Sequence, residues 1–464
     1  MKTSFTHISK KNLVILLGDL LILYGTLYAV LNIRYFSRQG GILLHKHLAP
    51  FTVIFFLWMI MFGAFGLYDL KLMKNGKIFL YRLMQAMALN TALAIIVFYI
   101  FPFEIEPRRN LFLITISATL LIFLWRYLFN LLILRASSTR IAFIGITGET
   151  MDLVSFLLRH PQIGYKPVAF FSNGKTLFSP PAPLVSPVPE FSLAEENFAR
   201  VIRETKADTI VISPEMKENR ILVKDLIAVM PLAISIAEFP AFHEMITGKI
   251  PLSLIEEIWF LENLIGIKKR SYEFTNRVVD IMLATIVSIP VLILFPFIAL
   301  AIKLDSRGPL FFRQTRVGKN GTIFEILKFR STYRTSVSAY EGRRKDQDAG
   351  VYTRTGIFLR KSYLDELPQL INVLKGEMSF IGPRPERPEF VDEFKVKVSF
   401  YEMRLLALPG LTGWAQINMK DDASVEDAPE KMQYDLYYIK NRSFILDLLI
   451  MLRTIFTLLR REGR

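Results

Sequence analysis

Cysteine is absent from the 464 residues. That removes a disulfide framework, a thiolate metal site and a cysteine nucleophile at once, so any catalysis must use carboxylate, hydroxyl, amine or metal chemistry. An intact dinucleotide fingerprint is also missing. In the turn closing "RIAFIGI" (Arg140 to Ile146), Phe143 stands where the leading glycine of a G-x-G-x-x-G would be, and only Gly145 and Gly148 follow. No acid ends the next predicted strand at Phe171, and no tyrosine has a lysine four residues later, as short-chain dehydratases and epimerases usually require. Acids are outnumbered, 42 against 57 Lys and Arg, for a net charge of +15. Much of that surplus borders apolar runs, where basic residues are expected beside a membrane, so nucleic-acid binding is not.

Apolar residues are abundant instead, at 52% of the chain. Four long runs, Leu13 to Ile33, Leu48 to Leu67, Leu83 to Phe103 and Leu111 to Leu134, each approach the roughly 20 residues of a bilayer-spanning helix. Lys2, Lys10 and Lys11, then Lys71, Lys74 and Lys77, then Arg135 and Arg140 put the start, the second loop and the exit of the fourth run on the cytoplasmic side. Asp19 and Arg126 lie at similar depth in oppositely directed runs, so a contact between them is expected, with snorkelling to the interface as the alternative. A fifth apolar segment, Ile281 to Ile302, is interrupted by Pro290 and Pro296. A full crossing would strand the remaining 160 or so residues outside. A re-entrant helix over about 279–303 is expected, broken at Pro290, with Ser288 able to take up carbonyls freed by the proline. The end, "SFILDLLIMLRTIFTLLRR", is expected to lie along or against the membrane surface.

Between these parts the pattern becomes alternating. "RIAFIGI", "PVAFF" (Pro167 to Phe171), "DTIVIS" (Asp208 to Ser213) and "AISIAEF" (Ala233 to Phe239) are predicted strands, with helical spacing over Met151 to Arg159, Glu195 to Lys206 and Asn219 to Met230. They predict βα units around a small parallel sheet, a Rossmann-like domain with a structural or regulatory role. The proline-rich "SPPAPLVSPVPEF" (Ser179 to Phe191) is predicted to be a loop.

From Asp305 to Arg384 cations gather in four clusters, "RQTRVGKNG", "KFRS", "YTRTGIFLRKS" and "GPRPERP", around "KSYLDELPQL" (Lys361 to Leu370). Arginine forks suit phosphate oxygens, and Arg384 between two prolines has little backbone freedom. Leu367, Leu370, Ile371 and Leu374 predict a helix with one buried face, ended by Lys375 and Gly376, with Ser362 and Asp365 as a capping box. Asp365 and Glu366 then sit at its N-terminus, either as capping acids or as one nucleophile beside one metal ligand.

The succession "KLDSRGPLFFRQTRVGKNG", "KFRS", "RTGIFLRKSYLDELPQLINVLKGEMSFIGPRP", "PGLTGWAQIN" and "YDLYYIKNRSFILDL" resembles the bacterial sugar transferase family, the monotopic polyprenol-phosphate phosphoglycosyl transferases, from about Lys269 onward. Large members of that family also carry four membrane helices and a Rossmann-like domain. The resemblance implies a membrane protein of α plus α/β class: four transmembrane helices over 1–138, a Rossmann-like domain over 139–266 and a mainly α catalytic domain with a re-entrant helix over 267–464. It implies Asp365 as nucleophile on a UDP-sugar and Mg2+ held at the Asp365 and Glu366 pair. It implies phosphate contacts from Lys328, Arg330, Arg360 and Arg384, with Arg316, Pro385 and Asp435 as further substrate-binding residues. The expected partners are a UDP-hexose, glucose or galactose favoured, undecaprenyl phosphate and the bilayer, in a bacterial cytoplasmic membrane with the catalytic domain facing the cytoplasm. The expected pathway is exopolysaccharide, capsule or O-antigen synthesis, and a homodimer is plausible. "INMKDD" (Ile417 to Asp422) replaces the usual N-G-R after W-A-Q, and Ala349 and Gly350 replace the P-R of a common D-P-R. A non-catalytic membrane scaffold or nucleotide sensor is the alternative, and it leaves the acid pair and the cation clusters unexplained.

Overall fold

The computed structural model describes residues 10–35, 40–68, 77–101, 103, 108–136, 138–172, 188–193, 197–216, 219–265, 270–333, 352–419 and 427–460. Lys71, Lys74, most of the proline-rich stretch, Ala349, Gly350 and positions 420–422 lie outside the described residues. Two compact units divide at Thr247 and Gly248.

The first unit opens with four long helices, α1 (Lys10–Arg34), α2 (Gly40–Ala64), α3 (Lys77–Ile100) and α4 (Arg108–Ala136). Each contains an apolar stretch long enough to cross a bilayer. Phe51, Phe55, Trp58 and Phe62 of α2 are buried with Leu23 and Leu27 of α1, while Leu21, Tyr99 and Leu120 face outward, as expected of helices solvated by lipid. The expected intramembrane contact forms. Arg126 Nε donates to Asp19 Oδ1 at 3.1 Å, its Nη2 donates to Asp19 Oδ2, and its Nη1 donates to Leu67 O at 3.0 Å. Gly18 makes this approach possible, because a Cβ there would collide with the Trp125 ring.

Beyond α4 the chain builds a five-stranded parallel sheet from β1 (Thr139–Ile144), β2 (Tyr165–Ser172), β3 (Glu190–Ser192), β4 (Thr209–Ile212) and β5 (Ser235–Glu238). Its order, β3-β2-β1-β4-β5, is that of a doubly wound sheet. Helices α5 (Gly148–Arg159), α6 (Phe198–Thr205), α7 (Arg220–Val229) and α8 (Phe239–Thr247) alternate with the strands. The short strand β3 begins inside the stretch read as a loop. Prolines limit pairing within that stretch, but "EFS" after Pro189 has amides free to pair with β2.

The second unit begins with Gly248. Ile250, Ile255 and Phe260, the last in the one-turn helix α9 (Glu257–Phe260), share a core with Trp414, Met432 and Leu436. The helix α10 (Arg270–Asp305) is longer than expected and runs without interruption through Pro290 and Pro296. At about 1.5 Å per residue it is about 54 Å long. Both of its halves pack on the same unit. Ala284, Val287 and Val291 meet Phe324, Ile326, Leu370 and Val373, whereas Phe295, Ile298 and Ile302 meet Phe311, Phe329 and Leu359. Polar contacts fasten both ends. Asp280 accepts from Ser379 Oγ and Phe380 N, and Asp305 accepts from Thr355 N. Between them Leu292, Ile293 and Phe297 project outward.

An antiparallel hairpin of β6 (Phe311–Val317) and β7 (Ile323–Phe329) follows, then α11 (Arg354–Lys361), a 3-10 helix over Leu364–Gln369 and α12 (Leu370–Lys375). Strands β8 (Ser379–Ile381) and β9 (Gly410–Thr412) pair in parallel, and α13 (Pro388–Lys397), α14 (Trp414–Asn418), α15 (Ala428–Asn441) and α16 (Phe444–Arg460) complete the mainly helical unit. One face of α16 belongs to the core through Leu446 and Ile450, while Phe444, Ile445 and Leu448 point away.

Candidate active site

The acid doublet is not in the helix predicted for it. Ser362 ends α11, and its hydroxyl donates back to Phe358 O at 2.7 Å, so no capping box with Asp365 forms. Tyr363 takes a left-handed conformation, φ 57°, and the chain turns into the 3-10 helix carrying Asp365 and Glu366 in its first turn. Pro368 has no N–H for an i→i−4 bond to Leu364, and a regular α-helix starts only at Leu370. The tighter 3-10 turn also shifts the phase of the buried face. Gln369, Leu370, Asn372 and Val373 are buried, whereas the predicted Ile371 and Leu374 are exposed.

Two separate elements converge on the doublet. Lys328, from β7, donates through Nζ to Glu366 Oε1 at 2.7 Å, and Arg384 Nη2 stands 3.9 Å from the same oxygen. Asp365 is buried beside them at 4% exposure, while Glu366, Lys328 and Arg384 keep 15%, 18% and 26% of their side chains accessible. The Lys328 ammonium is held below the usual lysine range, first by burial and further by Arg384, with Glu366 and Asp365 opposing. The result is a partly exposed cluster of two carboxylates and two cations.

The Arg384 segment is held from behind. Gly382 lets the loop cross the β8–β9 pair, since a Cβ there would meet Leu408 O at 2.2 Å. Arg316 Nη1 donates to Pro385 O at 3.0 Å, Val317 N to Glu386 O at 2.9 Å, and Arg404 Nη2 to Arg384 O at 2.6 Å. Arg404 is itself fixed by Asp435, Nε to Oδ2 at 2.6 Å, and Lys431 Nζ donates to Glu386 Oε1 at 2.6 Å. Burial works against charge on Glu386, but Lys431, Arg404 and Arg316 outweigh it and hold that carboxyl below the ordinary range.

The nominated residues therefore divide. Lys328, Asp365, Glu366 and Arg384 come together. Arg316 and Pro385 meet through a side chain and a carbonyl, at the base of the Arg384 loop. Asp435, 1% exposed, lies beneath the loop as the partner of Arg404, because α15 turns it into the core. Arg330 is directed elsewhere. Beyond the end of β7 it turns to the C-terminal end of α10, donating to Ser306 O at 2.7 Å and Ser306 Oγ at 2.9 Å. Arg360 lies over the Tyr352 ring at 4.1 Å. Ser288 and Pro290 sit mid-way along α10. Sequence reasoning missed Arg404, Glu386 and Lys431; for Arg404 and Lys431, a charged residue in an otherwise buried helical position was the available signal.

The donor set accommodates a substrate-borne divalent cation rather than a closed metal cage. Asp365 and Glu366 offer hard oxygens, but among the described residues no three His, Asp or Glu side chains converge. Mg2+ commonly takes one or two carboxylates plus substrate phosphates.

The bacterial sugar transferase family matches residues 271–461. A protein of Aeromonas hydrophila named UDP-N-acetylgalactosamine-undecaprenyl-phosphate N-acetylgalactosaminephosphotransferase is 41% identical over 237 residues, 49% of this chain and 54% of that protein. A UDP-glucose:undecaprenyl-phosphate glucose-1-phosphate transferase of Caulobacter vibrioides is 39% identical over 193 residues, 41% of this chain and 72% of that protein. The Klebsiella pneumoniae protein of the same name is 29% identical over 330 residues, covering 68% of this chain and 67% of its own length. The chain thus spans about half the length of the Aeromonas relative and a larger share of the other two. With the acid pair, Lys328 and the Arg384 loop all inside the matched segment, the chain belongs to the bacterial sugar transferase family.

Proposed function

We propose that this protein transfers a hexose-1-phosphate from a UDP-sugar to undecaprenyl phosphate, as a membrane step of polysaccharide synthesis. The observation that carries this reading is the convergence of Lys328 and Arg384 on the Asp365 and Glu366 pair in a partly exposed cluster. In the first half-reaction an Asp365 carboxylate oxygen attacks the β-phosphorus. The bond from that phosphorus to the bridging oxygen breaks, UMP leaves with the electron pair, and an aspartyl sugar phosphate remains. In the second half-reaction an oxygen of undecaprenyl phosphate attacks the same phosphorus and releases the Asp365 carboxylate. Lys328 and Arg384 hold phosphate oxygens, and the buried network under Arg384 keeps its fork aimed without further ordering. When bound at Glu366 and Asp365, Mg2+ would neutralise diphosphate charge.

A re-entrant α10 in a cytoplasmic membrane, with the catalytic unit on the cytoplasmic side, suits this chemistry. Its support is that both halves of α10, and polar groups from Tyr272 near its start to Asp305 at its end, bear on one unit. The hexose is glucose or galactose in this reading, and the Aeromonas relative makes UDP-N-acetylgalactosamine a necessary member of any substrate panel.

The test incubates purified protein with labelled UDP-sugars and Mg2+, with and without undecaprenyl phosphate, and looks for a sugar phosphate on Asp365 by mass spectrometry. Asp365→Asn should lower UMP release by on the order of 10⁴-fold, as loss of a nucleophile does. Release at the wild-type rate would remove Asp365 from the mechanism.

A further inference from the structure

We infer that Asn372 is a positioning residue that sets the distance between Lys328 and the acid pair. Resting on the reading above, this adds a residue whose side chain touches neither carboxylate. Asn372 is 1% exposed, and its amide is used on both sides. Nδ2 donates to Glu325 O at 2.7 Å and to Glu377 Oε2 at 2.7 Å, while Oδ1 accepts from Leu327 N at 3.2 Å. Glu325 and Leu327 lie on β7, whose other edge pairs with β6. The Asn372 amide thus reads the outer edge of β7 as a neighbouring strand would, accepting from one peptide and donating to another two residues away.

What this edge contact fixes is adjacent in sequence on both sides. Lys328 follows Leu327, and the turn bearing Asp365 and Glu366 runs directly into α12, which carries Asn372. Without a third strand, nothing in a two-stranded hairpin specifies how far β7 stands from α12. Apolar packing of Phe324 and Ile326 on Leu370 and Val373 is non-directional and tolerates sliding. The two-point amide contact selects one register. From the opposite end, Arg277 of α10 donates to Val373 O at 2.5 Å and Leu374 O at 2.6 Å, so α12 cannot follow if β7 shifts. Losing the Asn372 contact should therefore separate Lys328 from Glu366 rather than move them together.

The experiment uses the full-length protein and two variants, Asn372→Ala and the milder Asn372→Ser, each compared with wild type by thermal unfolding. Hydrogen exchange should show the Leu327 amide losing at least about tenfold of its protection, since it loses the Asn372 acceptor. Amine-reactive labelling should find Lys328 more accessible. In UMP release, kcat should fall by about 100-fold with KM changed less than about threefold, the cost of misplacing a group by about 1 Å. In a Lys328→Gln background, Asn372→Ala should add less than about threefold, because the group it positions is already gone.

A merely structural role predicts the opposite pattern: equal losses in both backgrounds, tracking the fall in thermal midpoint. That outcome, or a Leu327 amide as protected in the variants as in wild type, overturns the proposal. If wild type releases no UMP from any UDP-sugar, the transferase reading fails, while exchange at Leu327 and labelling at Lys328 still decide the role of Asn372.

Discussion

Both units bury a carboxylate against a cation, and the two arrangements differ in how completely they close. In the membrane bundle, Arg126 spends Nε and Nη2 on Asp19 and Nη1 on Leu67 O, with both side chains essentially inaccessible. In the second unit, Lys328 meets Glu366 at one oxygen, Arg384 approaches that oxygen at 3.9 Å, and all three side chains retain some exposure. A closed pair in a low-dielectric setting holds helices together and offers nothing to a ligand. An open cluster with Arg384 at the rim of ion-pair range has room for an incoming anion, and its rigidity comes from the second layer of Arg404, Asp435, Glu386 and Lys431.

The largest effect is expected from breaking the closed pair on one side. Arg126→Leu leaves Asp19 buried without its cation and should destabilise the first unit by about 3–5 kcal/mol, whereas Asp19→Leu with Arg126→Leu should recover most of the loss. Thermal unfolding in detergent distinguishes the cases. Equal stability of the single and double variants would mean that the pair is not closed in the way described.

At the open cluster the corresponding change should spare the fold and affect function. Arg384→Lys keeps the charge but loses the bidentate fork, and kcat/KM for a UDP-sugar should fall by about 10-fold to 100-fold with little change in thermal midpoint. A loss of stability without a loss of turnover would reverse the comparison, making Arg384 structural.

The smallest effect concerns a third buried acid. Asp447 accepts from Tyr272 at 2.6 Å and Tyr438 at 3.0 Å, and burial raises its carboxyl from the ordinary 3.8 to about 6, against the pull of those hydrogen bonds. The folded chain then binds this proton more tightly than the unfolded chain does. The native state should lose stability as pH rises from about 4 to about 6, with no further loss from this group above that window. Asp447→Asn should flatten that part of the pH profile and change stability at pH 8 by about 1 kcal/mol in the favourable direction, a small residue after imperfect amide hydrogen bonding. An unchanged profile would show that Asp447 does not titrate there.

Local rules reached far into this protein. Apolar run length located the four long helices that open the first unit, and alternating βα spacing located four of the five parallel strands. The spacing of Asp19 and Arg126 along antiparallel runs put them at one depth, with pairing and snorkelling both open, and the packed helices chose pairing. The acid doublet was visible as chemistry, yet its conformation was misjudged, since Ser362 satisfied α11 behind it and Pro368 withheld an α-helical bond ahead of it. The role of Arg330 was less accessible still. Within "KFRS" it looks equivalent to Lys328, and only the end of β7 sends the two side chains to different neighbours.

By itself the sequence determined the membrane segments, the alternation of the parallel sheet, the clustered cations and the carboxylate pair, all set by periodicity and composition within a few turns of chain. The tertiary structure decided which cations face that pair, which acid lies under the Arg384 loop and how Asn372 edges β7. Those contacts join residues 18 to 47 positions apart, and no local preference specifies which distant partners the packed core will bring together.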